Sequence, residues 1–277
     1  MIKALVSLDA DLASSIVLRY ACRLTERIEM NLQTMHVEEV DQEGYPPGSG
    51  WVRSTWEKGL LQTAQEEIAQ LLNAEKPFCP PLDDPKISIG EREEELLREL
   101  EDEGYDVFME GVLYSFNATN FFKKVQSKLY RYAPCPIILV KNLVNVEKVA
   151  LLLEDHSDWR PLVSAFLKIF HQSDTVVDLI HFTFQKTGRA RTGKRAHASP
   201  ARPERAEQGP GEAARALMEI GGSVEERWVI QESPAEFGAS LEDYGLVGAC
   251  ISRDAGKKSR IPELLSRVPS AVLLCRQ

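Results

Sequence analysis

No apolar run in the chain approaches the roughly 18 residues that a membrane-crossing helix needs. The opening Met1-Ile2-Lys3-Ala4-Leu5-Val6 lacks the basic, apolar, small-residue order of a secretory leader. The expectation is a cytoplasmic protein with no membrane role. Cysteine is scarce: Cys22, Cys79, Cys135, Cys250 and Cys275 are odd in number and scattered, with no CxxC and no short Cys/His spacing. Neither a disulfide framework nor a structural zinc site is expected. Positive charge is short as well. The net charge is −9, and all of the excess lies before residue 143, where 15 basic residues face 24 acidic ones, the remainder balancing at 18 of each. An acidic half does not suit nucleic acid as a main partner. No serine or cysteine stands in a GxSxG-type elbow, so the most recognisable sign of a hydrolase is missing too.

What is present is a soluble globular composition, 43% hydrophobic and 27% charged over 277 residues, long enough for two domains of ordinary size. The first apolar run, Ile2 to Leu8, ends at Asp9 and is followed by Leu12, Ile16, Tyr20, Leu24 and Ile28 at helical spacing. A strand over Leu32 to Val37 leads into a loop with Gly44, Pro46, Pro47, Gly48 and Gly50, then a helical period runs from Trp56 to Leu72. Prolines 77, 80, 81 and 85 end that helix, Ile87 and Ile89 alternate like a strand, and Glu91 to Glu103 reads as an acidic helix closed by Gly104. Tyr105 to Gly111 is a fourth strand, a helix carries Phe121, Phe122, Val125 and Leu129, and Pro136 to Val140 is the last strand. Strand and helix therefore alternate, which predicts a parallel sheet with helices on both faces.

The remainder repeats the plan. Val149 to Leu153 ends in Glu154-Asp155, Asp158 can cap a helix bearing Leu162, Val163, Phe166, Ile169 and Phe170, and Val176 to Phe184 matches the second strand. A helix with Leu217 and Ile220 stops at Gly221-Gly222, Arg227 to Gln231 is a third strand, and Ser233-Pro234-Ala235-Glu236 is a capping box with proline at the first helical position. Leu246 to Ile251 and Ala271 to Cys275 complete five strands, with Ser252 to Ser266 between them read as a loop. Corresponding points lie roughly 135–145 residues apart, the mark of a duplicated domain, with domains over 1–142 and 143–277. Gln185 to Gly211, rich in lysine, arginine and proline and nearly without apolar residues, reads as a mobile basic loop. It serves either as a solvated tether or as a contact for an anionic partner.

Two stretches carry a family resemblance. Lys3-Ala4-Leu5-Val6-Ser7-Leu8-Asp9 with its helix and Met35-His36-Val37-Glu38-Glu39 resembles the opening of universal stress protein domains. Tyr105-Asp106-Val107-Phe108-Met109-Glu110-Gly111 followed by Arg131-Tyr132-Ala133-Pro134-Cys135-Pro136-Ile137-Ile138-Leu139-Val140-Lys141 resembles that family's fourth strand and closing segment. Arg267-Val268-Pro269-Ser270-Ala271-Val272-Leu273-Leu274 is a worn version of the same ending. The resemblance implies two tandem doubly wound α/β domains of the adenine nucleotide alpha hydrolase-like kind, each with a five-stranded parallel sheet. It also implies ligands at the carboxyl ends of the strands. In nucleotide-binding members an aspartate after the first strand, backbone near the end of the second, and a glycine-rich loop after the fourth hold ATP. Asp9, Val37 and Gly111 match those positions. Tyr114, however, falls where a second glycine belongs, and Lys123-Lys124 stand in place of glycine and serine, where they could attract phosphate only as point charges. In the second domain Gly256, Lys257 and Lys258 do not reproduce the loop either.

The remaining residues that invite a chemical reading each have a plain structural one. Asp9 with Asp11 could be a magnesium pair, or Asp11 a helix cap. His36 could line a site or be a satisfied strand-end histidine. Asp155 with His156 suggests acid/base work without a nucleophile, and Cys135 between prolines is a small buried side chain or a redox group. Trp51 and Trp56 belong to a loop that covers the strand ends or meets a partner. The combined expectation is a non-enzymatic stress-response regulator or adaptor with degenerate phosphate loops and no cofactor. The alternative is an ATP or AMP sensor using Asp9, Val37, Gly111, Lys123 and Lys124. The resemblance implies that the closing strands pair the two domains within one chain, and a homodimer and an unknown protein partner are further expectations.

Overall fold

The computed structural model of the chain describes residues 1–39, 50–113, 117–155, 157–171, 173–185, 211–218, 223–252 and 260–277. The first half runs β1 (Ile2–Ser7), α1 (Leu12–Thr25), β2 (Met30–Glu38), α2 (Trp51–Glu75), β3 (Lys86–Ile89), α3 (Arg92–Glu103), β4 (Val107–Gly111), α4 (Ala118–Gln126), α5 (Lys128–Tyr132) and β5 (Ile137–Val140). The second runs β6 (Lys148–Glu154), α6 (Arg160–Ile169), β7 (Val176–Phe184), α7 (Glu212–Met218), β8 (Val224–Gln231), α8 (Pro234–Ala239), β9 (Leu246–Ile251), α9 (Ile261–Arg267) and β10 (Ala271–Arg276). The ten strands form one sheet in the order β3-β2-β1-β4-β5-β10-β9-β6-β7-β8. Every pairing is parallel except β5 with β10. The two halves are doubly wound and five-stranded, as the alternating pattern predicts, and they are joined edge to edge through β5 and β10.

The central strands β1, β4, β5, β6, β9 and β10 read as largely apolar runs because both faces of the sheet are covered there, whereas the edge strands β3 and β8 are only half-buried and carry polar residues. Ala4, Val6 and Leu8 point to one face and join Val17, Leu18, Leu24, Leu162 and Phe166 from α1 and α6. Leu5, Phe108, Ile137 and Leu139 point to the other, against Leu96, Leu100, Phe121, Leu129 and Leu264 from α3, α4, α5 and α9. Each core continues across the domain junction.

At that junction Ile138 faces Leu273, flanked by Leu139 facing Val272 and Ile137 facing Leu274. This register is its own mirror under exchange of the two strands, so a pseudo-twofold axis passes through Ile138 and Leu273. The residues that follow the two apolar runs obey the same exchange. Lys141 Nζ donates to the carbonyls of Leu265 (2.6 Å) and Val268 (2.8 Å) at the end of α9. Arg276, its counterpart, donates to the carbonyls of Tyr130 (2.7 Å) and Val125 (2.6 Å) in α5 and α4. Each domain therefore supplies a side-chain donor from the end of its closing strand to carbonyl ends of the other's helices; burial lowers the Lys141 amine to about 7.

Several local expectations hold, and others are corrected. Asp11 caps α1, its carboxylate accepting from the Ser14 amide at 2.9 Å, and Ser233 caps α8. Gly104 closes α3 at φ 63°, a left-handed position that suits glycine. The helix read through Phe121 and Leu129 is broken at Ser127, whose ψ of 162° is extended, giving α4 and α5. The segment read as a loop up to Ser266 contains α9, whose Ile261, Leu264 and Leu265 are buried. Trp51 starts α2 and is 79% exposed. Contrary to the reading of scattered, unpaired cysteines, Cys22 and Cys79 form a disulfide with a Cα separation of 5.3 Å. Spacing along the chain hid this pair because tertiary contacts create it. Arg19 of α1 binds Glu75 at the end of α2 and lies over the Phe78 ring, which brings the Cys79 segment onto α1. The basic loop's residues 186–210, the loop glycines and prolines at 44–48, His156, Ile220 to Gly222 and Gly256 to Lys258 lie outside the described residues.

Candidate functional site at the strand ends of the first domain

All strands of a parallel domain end on one side, so the segments that follow β1, β3 and β4 converge. Between them lies a cleft of about 300 Å³ lined by Asp9, Asp11, Arg92, Glu110, Asn120 and Lys124 among others. Its centre is Glu110, 3% exposed at the end of β4. One carboxylate oxygen meets Arg92 at 2.8 Å and Lys124 at 2.9 Å. The other accepts from the Tyr130 hydroxyl at 2.6 Å. Arg92 also donates to Ser7 Oγ at 2.7 Å and stands 3.6 Å from Asp9.

The electrostatics follow from this crowding. Burial on its own would raise the Glu110 carboxyl, but Lys124, Arg92 and the Tyr130 hydroxyl together hold it below the usual carboxylate range. Asp9 is likewise held low against its desolvation by His36, Arg92 and Lys124. His36 has its Nδ1 2.9 Å from the Leu8 carbonyl and 3.5 Å from Asp9, and its Nε2 3.2 Å from Glu38. Burial pulls its pKa down, yet these acceptors outweigh burial and carry it to about 9, so the ring is an imidazolium at neutral pH. Asp9, Glu38 and Glu110 thus each lie against one or more of the cations His36, Arg92 and Lys124.

Of the residues that the sequence proposes for a ligand, Asp9, Gly111 and Lys124 meet at this cleft. Val37 does not line it; it is buried in the core beneath the sheet, opposite Ser88 of β3. Lys123 is exposed and is not among the residues that line the cleft. Gly111 has a packing reason to be glycine, since a Cβ there would run into the Ala13 carbonyl of α1. Tyr114 lies outside the described residues. Sequence reading passed over Glu110, Arg92 and Tyr130, although two signals were available. Glu110 is the one charged residue of an otherwise apolar buried strand, and such a carboxylate requires partners. Arg92 puts a cation at the first position of a helix, where the dipole disfavours it, so an outside carboxylate had to call it there.

Among the described residues the second domain lacks this constellation. In the register that sets Ser7 beside Glu110 in the first domain, Leu152 stands beside Ala249 in the second. Its strand-end hollow, bounded by Glu154, Trp159, Cys250 and Ile251, measures only about 80 Å³, below the roughly 300 Å³ at which small-molecule sites begin. His181 pairs with Glu226 at 2.7 Å and stacks on Trp228. Among the described residues no group of three or more His, Cys, Asp or Glu could hold a metal ion, and no helix is long and apolar enough to cross a membrane.

No protein-family model and no curated protein matches the sequence. Solved structures do match. A universal stress protein from Archaeoglobus fulgidus DSM 4304 aligns over 99% of this chain and 96% of its own, at 14% identity and a TM-score of 0.61. A functionally unknown protein from Pseudomonas aeruginosa PAO1 aligns over 99% and 92%, at 15% identity and a TM-score of 0.53. The cytoplasmic domain of a prokaryotic cation chloride cotransporter aligns over 99% and 94%, at 12% identity and a TM-score of 0.50. The chain has the fold of a universal stress protein, matched over 99% of its length.

Proposed function

We propose that this chain is a non-enzymatic regulatory or adaptor protein of the universal stress type, resident in the cytoplasm and acting through contacts with a protein partner. The observation that carries the reading is the occupation of the first domain's cleft by its own carboxylate. Arg92 and Lys124, the cations a phosphate would seek, already converge on Glu110 within 2.9 Å. A nucleotide entering there would have to displace a buried, low-pKa carboxylate or lie against it, and like charges at close range cost several kcal/mol. The reduced hollow of the second domain supports the same reading. Association of whole chains into a homodimer belongs to the proposal as well, and light scattering that shows only monomer removes that part.

The rival reading, an ATP or AMP sensor, draws on the openness of the cleft and on Lys124 in its wall. Thermal unfolding with and without millimolar ATP, AMP and magnesium separates the two. A ligand at 100 times its dissociation constant stabilises the fold by about 2.7 kcal/mol, a shift such a scan resolves. The adaptor reading expects none. A clear shift that Asp9→Ala abolishes makes the protein a nucleotide-dependent switch instead.

A further inference from the structure

The closing strand of the second domain brings together two cysteines that no part of the reading above employs. Cys275 of β10 and Cys250 of β9 are direct neighbours in the parallel register, both face the same core, and both are free thiols. We propose that this pair is a two-thiolate site for a soft monovalent cation, copper(I) above all.

Geometry selects the occupant. Strands pair at about 4.8 Å, whereas the Cβ atoms of a disulfide sit about 3.8 Å apart. Neighbours held by a parallel ladder are therefore poorly placed to bond to each other. A linear two-coordinate ion holds its two sulfurs about twice as far apart as the bonded sulfurs of a disulfide, so it does not need the close approach that the ladder disfavours. Zinc is a poor fit, because it takes four ligands and no cluster of three or more metal-ligating side chains exists among the described residues. Soft thiolates favour copper(I), a d10 ion that is satisfied by two of them.

The surroundings provide an entry. Cys275 is buried, but Cys250 borders the strand-end hollow of about 80 Å³, ample for a bare ion. In the metal-free protein, burial dominates and lifts the Cys250 thiol to about 11. Binding then forms two copper–sulfur bonds and releases two thiol protons to solvent, with no change of oxidation state.

This inference stands independently of the adaptor reading. The test is anaerobic titration of the reduced full-length protein with copper(I) held by a competing chromophoric chelator. One copper per chain is expected. Cys250→Ala and Cys275→Ala should each weaken binding by more than an order of magnitude, while the Cys22→Ala/Cys79→Ala double variant keeps it. No uptake, uptake indifferent to Cys250→Ala, or uptake lost in the double variant would overturn the proposal. Should the Cys275 variant fail to fold, X-ray absorption on the copper-loaded wild type decides. Two sulfur neighbours are expected, and a three- or four-coordinate ion overturns the assignment.

Discussion

A carboxylate buried at the end of a parallel strand is stable only in company, and the company of Glu110 defines the chemistry of the first domain's cleft. Replacing it by glutamine keeps the size of the side chain and removes the charge that balances Arg92 and Lys124. Breaking a buried ion pair from one side costs about 3–5 kcal/mol; because both cations are partly exposed, about 3 kcal/mol is expected for Glu110→Gln in urea denaturation. The two freed cations should also make the variant, unlike the wild type, gain stability from millimolar phosphate. A variant indifferent to phosphate would show that the cleft is not a masked anion site. His36 gives a pH signature. Its folded pKa near 9 lies above its ordinary 6.5, so the folded state holds a proton that the unfolded chain releases in between. Its contribution, roughly 3 kcal/mol by the size of the shift, is complete below about pH 6.5 and is lost as pH rises through 9. His36→Asn should flatten that decline. At this scale the sequence was legible for Asp11, whose cap is a local affair of three residues, and for Asp9 and Lys124. Arg92 and Glu110, separated along the chain and joined only by the fold, were not.

Elements were easier to read than sites because periodicity is local. The central strands fall where apolar runs place them, since strands covered on both faces have no polar side to blur the signal, while β8, half exposed and opening Val224-Glu225-Glu226, is legible only from Arg227 onward. Short helices were harder. α9 is seven residues long, too short for a period to declare itself, and its fixing contact, the Lys141 amine on its last carbonyls, comes from the other domain. The break between α4 and α5 at Ser127 follows from no glycine or proline, and spacing could not foresee it. The Cys22–Cys79 link is of the same kind, a tertiary contact that closes a loop of 57 residues. In the chain-entropy account, closing a loop of that length stabilises the fold by about 4 kcal/mol. Dithiothreitol, or Cys79→Ser, should lower the urea midpoint accordingly, while the Arg19–Glu75 pair still holds the segment against α1. An unchanged midpoint would mean that the pairing is not made in solution. In a reducing cytoplasm the pair would stand open, so the two redox forms would differ in stability rather than in fold.

The whole molecule is one sheet with an approximate twofold axis at Ile138 and Leu273, and the symmetry has a mechanical consequence. The β5 edge of the first domain is covered by β10, and the β10 edge by β5. A fragment ending at Glu147 would expose Ile137 to Val140, a short apolar edge of the sort that recruits another strand. A second copy of the fragment offers the same edge in the same antiparallel register, because the register is unchanged when the two strands are exchanged. The polar contacts would carry over too. Tyr130 and Ala133 occupy in the first domain the places of Leu265 and Val268, whose carbonyls receive Lys141 in the intact chain. Each Lys141 of the fragment would therefore find an equivalent pair of carbonyls on its twin. Light scattering on the isolated fragment at tens of micromolar should report a dimer, and Lys141→Ala, which strands those carbonyls at about 1–3 kcal/mol for each, should shift it toward monomer. A fragment that stays monomeric would show that the junction depends on what differs between the domains, arginine on one side and lysine on the other, and not on the strand register they share.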